Sequence, residues 1–160
     1  MRIYIAGPLF SPYHRQFHAE NVRRLREAGH DCFVPQEQEH NARQSDSIPA
    51  QVFQVDLSGV RWANVLIALL DDPDVSSGTA CEMGIFFELA RQDPTKKGIL
   101  GLLTDDRPRK RVASSVGESL NFFTLGCLEK TTGQVYNSIE GVLAHLDIWQ
   151  KELEAAEKAG

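Results

Sequence analysis

Ala63-Asn64-Val65-Leu66-Ile67-Ala68-Leu69-Leu70 holds the longest apolar stretch of the chain, Val65 to Leu70. It runs through a loop, Asp71 to Gly78, into a helical pattern from about Thr79 to Gln92. A run without polar alternation buries both faces, as a strand does at the centre of a parallel sheet. On its C-terminal side Gly98 to Leu103 reads as a further strand. On its N-terminal side Ile48 to Trp62 has helical spacing, with Gln51, Gln54, Ser58 and Arg61 on one side and Val52, Val55, Asp56, Gly59 and Val60 on the other. Further back, Asp31 to Val34 is a short strand ended by Pro35. Pro12 to Ala28 is a helix with Phe17, Asn21, Leu25 and Ala28 on one face, stopped by Gly29. Arg2 to Ala6 is a first strand ended by Gly7-Pro8. The C-terminal part reads as a charged loop from Thr104 to Arg111, a short helix or turn near Glu118 to Leu125, and a last helix from about Ser138 to Ala159. Strands and helices alternating at this spacing predict an α/β chain, one domain over residues 1–160, built on a doubly wound parallel sheet. Such sheets bind ligands beyond the carboxyl ends of their strands. That selects four loops: Gly7 to Ser11, Pro35 to Ser47, Asp71 to Gly78 and Leu103 to Asn121.

Composition narrows the partner. The chain has 160 residues, with 17 Lys and Arg against 22 Asp and Glu, a net charge of −5. At 42% hydrophobic and 24% charged it can bury a core and does not read as disordered. Net negative charge offers no broad attraction to phosphate backbones, so polymeric nucleic acid is not expected and the substrate should be small. No stretch reaches the roughly 18 apolar residues of a membrane span, and the N-terminus does not read as a secretory leader, so a cytosolic location is expected. Cys32, Cys81 and Cys127 are odd in number and form no C-x-x-C pair; they read as reduced, mostly packed thiols. His14 and His18 stand i, i+4 on a helix, but no Glu follows His14, so both read as a solvated helix face. His30, His40 and His145 have no partner cluster. Neither G-x-G-x-x-G nor G-x-x-x-x-G-K occurs. The basic run Arg107, Arg109, Lys110 and Arg111, flanked by Asp105 and Asp106, reads as a solvated loop.

Chemistry concentrates in Asp74-Val75-Ser76-Ser77-Gly78-Thr79-Ala80-Cys81-Glu82-Met83-Gly84, which joins the buried strand to a helix. Ser77 or Thr79 could cap that helix and Glu82 falls in its first turn, so a capping or dipole-matching carboxylate is the plain structural reading. Glu82 is also in line with Phe86 and Leu89, an apolar side facing the sheet edge. The positive helix end favours its ionised form, and an ionised, poorly solvated Glu is what attack on a sugar carbon requires. Asp56 is a second carboxyl, stranded on the apolar side of the preceding helix, where an unpaired charge is costly. One nucleophilic and one proton-transferring carboxyl are the apparatus of glycosidic cleavage through a covalent intermediate. The residues alone leave this open against a satisfied polar core.

Four stretches, Ile3 to Ser11, Phe33 to Gln36, Val55 to Val60 and Ser77 to Gly84, taken in order, resemble the nucleoside 2-deoxyribosyltransferase family over about three quarters of the chain. The resemblance implies a flavodoxin-like fold and transfer of 2-deoxyribose between nucleobases without metal or organic cofactor. It implies that Glu82 attacks C1′, that Tyr4 holds that carboxylate, and that Asp56 meets the nucleobase and shares in protonating its leaving nitrogen. Gln36 would lie near the base; Gly7 and Phe10 in the first loop and Gly78 at the helix start would border the substrate. Many members read Asp-Ser-Gly-Thr before the nucleophile, the Asp gripping the sugar 5′-hydroxyl. This chain has Ser76 there, as related 2′-deoxynucleoside 5′-monophosphate N-hydrolases do. Asn121, in Leu120-Asn121-Phe122-Phe123, resembles an Asn that the transferases place in a neighbouring subunit's site, which implies a homo-oligomer. Three functions follow as expectations: a deoxyribosyltransferase, a 5′-monophosphate N-hydrolase, and a non-catalytic nucleoside or nucleotide sensor.

Overall fold

A computed structural model describes residues 1–38, 49–71, 74–105, 120–131 and 133–159. Five strands, β1 (Arg2–Ala6), β2 (Asp31–Phe33), β3 (Val65–Leu69), β4 (Gly98–Leu102) and β5 (Val135–Tyr136), form one parallel sheet in the order β2-β1-β3-β4-β5. Among the described residues five helices flank it: α1 (Pro12–Glu27), α2 (Pro49–Trp62), α3 (Ser77–Ala90), α4 (Phe122–Glu129) and α5 (Ile139–Ala159). A short 3-10 turn covers Pro35–Glu37. The doubly wound α/β architecture read from the sequence is the one observed.

Strand geometry explains the two layers. Successive side chains point to opposite faces. Ile3 and Ile5 of β1, with Val65, Ile67 and Leu69 of β3, therefore pack with Val22 and Leu25 of α1 and Val142, Leu146 and Trp149 of α5. Tyr4, Ala6, Leu66 and Ala68 point the other way, onto Val60 of α2, Met83 and Phe86 of α3 and Cys127 and Leu128 of α4. The chain runs from β1 out to β2, then returns across β1 to β3. The order of strands thus reverses between β1 and β3, where the carboxyl ends leave a crevice.

Several boundaries moved. Helix α1 is capped by Ser11, which accepts from the Tyr13 N–H, and has Pro12 at its first position. Its buried side is His18, Asn21, Val22 and Leu25, with Phe17 half-buried and Ala28 exposed. His18 is not on a solvated face: its ring lies under Gly7, where a Cβ would come within 2.4 Å of it. Burial lowers the His18 pKa to about 4 and keeps the ring neutral. Strand β5 was not read from the sequence, since two residues carry no periodicity. The short helix starts at Phe122 rather than near Glu118. Cys127 is buried and Cys32 half-buried, whereas Cys81 is exposed. His40, most of the loop from Gln36 to Ser47 and the basic run at 107–111 lie outside the described residues. Among the described residues no helix is long and apolar enough to cross a membrane.

Candidate active site

Helix α3 begins at Ser77, with Ser76 as its N-cap residue, so Glu82 stands in the second turn and not the first. The helix-end field falls off within one turn, so it does not govern this carboxyl. Burial does. Desolvation pushes the Glu82 pKa up to about 7, the hydrogen bond from Tyr4 pulls it down, and the charge of Asp56 pushes it up again. The expected helix-stabilised carboxylate is thus corrected to a half-buried carboxyl poised near neutrality.

Tyr4 is fully buried on β1, and its hydroxyl donates to Glu82 Oε1 at 2.6 Å. Burial first, then the Glu82 charge, raise the Tyr4 pKa far above the ordinary phenol value, so Tyr4 stays a donor. The sequence put Tyr4 and Glu82 78 positions apart, and the sheet brings them to one point because Tyr4 and α3 share a face.

A cleft of about 730 Å³ opens above this pair, within the range of small-ligand sites. Gly7, Phe10, Gln36, Asp56, Ser76, Gly78 and Glu82 all line it. Every residue expected to border the substrate is there except Asn121. Gly7 and Phe10 come from the loop after β1, Gln36 from the turn after β2, Asp56 from α2, and Ser76 and Gly78 from the start of α3. Gly7 is needed for its missing side chain, given the His18 ring beneath it. Ser77 and Thr79 lie inside α3, so neither is the cap expected of them; the N-cap position is Ser76, which makes no side-chain cap bond. Asn121 instead caps α4, its Oδ1 accepting from the Phe123 and Thr124 N–H groups. It is not among the residues lining its own chain's cleft, and its neighbours Phe122 and Phe123 are 71% and 85% exposed.

Arg15 and Thr79 are cleft residues that the sequence does not mark as such. Arg15, a helix charge for which the sequence suggested no site role, lines the cleft and donates through Nη1 to the carbonyls of Leu9 and Phe10, at 2.9 and 3.2 Å. The available signal was a cation near the positive end of a helix, where the field opposes it. Thr79 was read as a cap candidate; it is buried in the cleft wall, and its Oγ1 has no hydrogen-bond partner among the described residues. Gln36 Nε2 donates to the Arg15 carbonyl at 3.3 Å, leaving its buried Oε1 without a partner among the described residues. No group of three or more His, Cys, Asp or Glu side chains among the described residues could hold a metal ion.

A parallel α/β sheet, a cleft at its strand-order reversal and two carboxyls with a phenolic donor define a protein built to act on a small polar molecule. Residues 3–138 match the nucleoside 2-deoxyribosyltransferase family, and the chain belongs to that family. A conserved protein from Enterococcus faecalis V583 has a similar structure, with TM-score 0.72 and 26% identity over 89% of this chain and 94% of that one. The 2-deoxyribosyltransferase of Bacillus psychrosaccharolyticus aligns with TM-score 0.64 and 20% identity, covering 89% and 90%. The CMP N-glycosidase BcmB of Clostridium botulinum aligns with TM-score 0.52 and 17% identity, covering 93% and 99%. At those last two identities the likeness is one of fold. No curated protein sequence matches the chain significantly. Family membership supports an enzyme acting on nucleosides.

Proposed function

We propose that the chain is a nucleoside 2-deoxyribosyltransferase working by double displacement. The observation that carries this reading is the 2.6 Å hydrogen bond from Tyr4 to Glu82 Oε1 on the floor of the cleft. Tyr4 holds one carboxylate oxygen, which fixes the direction of the other. The ionised Glu82 attacks C1′ of the bound deoxynucleoside; the C–O bond forms as the C1′–N bond breaks, and the base leaves with the electron pair. Asp56 delivers a proton to the departing nitrogen and, for the incoming base, takes one back. Attack by the second base on C1′ expels Glu82 and restores the enzyme; water in its place gives hydrolysis. Asn121, which does not line its own chain's cleft, serves a neighbouring subunit in this reading. Incubation with deoxyinosine and adenine tests the proposal: deoxyadenosine and hypoxanthine should form, and their absence would remove the assignment.

A second reading has its own support. Ser76 leaves the start of α3 without a side-chain cap, and Ser76, Ser77, Gly78 and Arg15 all line the cleft. An uncapped helix start with a cation nearby suits a phosphate group. The substrate would then be a 2′-deoxynucleoside 5′-monophosphate and the acceptor water. Comparing turnover of deoxycytidine with that of its 5′-monophosphate separates the two readings.

A further inference from the structure

The hydroxyl that holds Glu82 sits at the far end of a ring, so a small tilt about the Tyr4 Cα–Cβ bond carries it sideways off the carboxylate. Something must fix that ring. Phe33 is the register partner of Tyr4 on β2, and Leu66 is its partner on β3. The Phe33 ring stacks on the Tyr4 ring with centroids 5.4 Å apart and planes at 14°, within the range of favourable offset stacking. Behind Phe33 stands Gly59 of α2. A Cβ built there would lie 2.5, 2.6 and 2.7 Å from Phe33 Cδ1, Cε1 and Cγ, closer than any side chain allows. Gly59 is buried and is three residues past Asp56, one turn along the helix. Beside Val60, the helix thus meets the sheet at a bare backbone pressed against the Phe33 ring, which in turn stacks on Tyr4.

We propose that Phe33 and Gly59 are positioning residues of the Glu82 site: Gly59 leaves the space in which the Phe33 ring lies, and that ring holds the Tyr4 hydroxyl on the carboxylate. The reacting role of Glu82 is taken from the function proposed above, but the contact itself stands on geometry. An ordinary core position would move stability alone. A positioning role must also move the titration of Glu82, because the Tyr4 hydrogen bond favours the ionised form.

The experiment follows the Glu82 carboxyl by ¹³C NMR against pH in the full chain, the resonance assigned by its loss in Glu82→Gln, alongside steady-state base release. Four proteins are compared: the parent, Gly59→Ala, Phe33→Leu and the double variant, each checked for a cooperative melt. Each single variant should raise the Glu82 midpoint by about half a pH unit or more and lower kcat about tenfold with KM little changed. In the Phe33→Leu background the ring that a methyl at 59 would displace is gone, so adding Gly59→Ala should shift the midpoint little further. Should Gly59→Ala not fold, Phe33→Leu decides alone. Parental midpoints in folded single variants, or shifts that simply add in the double, would overturn the proposal. A parent that releases no base while these midpoints shift as expected would remove the function and leave the positioning role standing.

Discussion

Helix α3 touches two charges taken partly out of water, one at each edge of the sheet, and they are handled in opposite ways. At the amino edge the Lys96 ammonium packs 5.4 Å from the centroid of the Phe86 ring and donates to the carbonyls of Arg61 and Ala63, at 2.7 and 2.6 Å. Those carbonyls stand at the C-terminal end of α2, where a helix leaves acceptors unsatisfied and its dipole favours a cation. At the carboxyl edge Glu82 receives one hydrogen bond among the described residues, from Tyr4, and otherwise faces the cleft and the Asp56 charge. Burial lowers the Lys96 pKa and raises that of Glu82, the same desolvation acting on opposite signs. The lesson is that burial of a charge does not mark a site. A buried charge whose water has been replaced by backbone acceptors closes a helix, whereas one left with a single donor at a cleft has capacity for chemistry.

Replacing the carboxyl breaks the comparison most completely. Glu82→Gln keeps shape and the Tyr4 contact but removes the nucleophile, so base exchange should fall by about 10³-fold or more. Product chromatography with deoxyinosine and adenine measures it, and near-parental exchange would end the proposed mechanism. The same variant should gain stability. A carboxyl whose folded pKa lies near 7 against an ordinary 4.5 holds its proton more tightly when folded. Its contribution is therefore fully present below about 4.5 and is lost as pH rises through about 7, a cost of a few kcal/mol at alkaline pH. The difference in unfolding free energy between Glu82→Gln and the parent should grow in favour of the variant across that window. Equal stability curves would place Glu82 in a more solvated setting than its burial indicates. His18 works with the opposite sign. Its depressed pKa contributes stability above about 6.5 that is lost as pH falls through about 4, so the parent's own curve is flattened where the two windows overlap.

Tyr4→Phe tests the single donor. The ring and its packing remain while the bond that favours the ionised carboxyl goes. Turnover should fall by about 10- to 100-fold. The acid limb of the pH–rate profile should move above about 7, because a carboxyl that holds its proton longer needs higher pH to become a nucleophile. A limb that stays in place would mean that Tyr4 does not set the charge of Glu82.

Much of this arrangement was legible before any coordinates, for reasons that are local. Val65 to Leu70 declared a central strand because a residue run with no polar face has only one place in an α/β sheet. Asp56 was conspicuous because it broke the apolar side of its own helix, and Glu82 because it followed the strand at whose end a ligand would bind. What escaped depends on distant chain segments. Whether His18 is wet depends on Gly7 having no side chain. Whether Glu82 is ionised depends on how much of α2 and β1 covers it, and the six-residue offset from Ser76 was enough to take it out of reach of the helix end. The place of Arg15 depends on the loop after β1, whose Leu9 and Phe10 carbonyls accept from it. Asn121 was read for its side chain, and the structure shows that side chain also closing the start of α4.

Lys96 supplies the control. If its burial is purely structural, Lys96→Met should keep the aliphatic stem against Phe86 while leaving two carbonyls at the end of α2 without their donor. The expected cost is about 1–2 kcal/mol, the usual toll of removing a charged donor from a partly solvated site. Urea or thermal unfolding reads that loss. Activity per folded molecule and the position of the acid limb should stay parental, because Lys96 and Glu82 stand at opposite edges of the sheet and share no hydrogen-bond partner. A Lys96→Met enzyme that lost turnover out of proportion to its stability would show that α3 transmits strain from one edge to the other. The two charges would then have to be understood as one system rather than as a closed end and an open one.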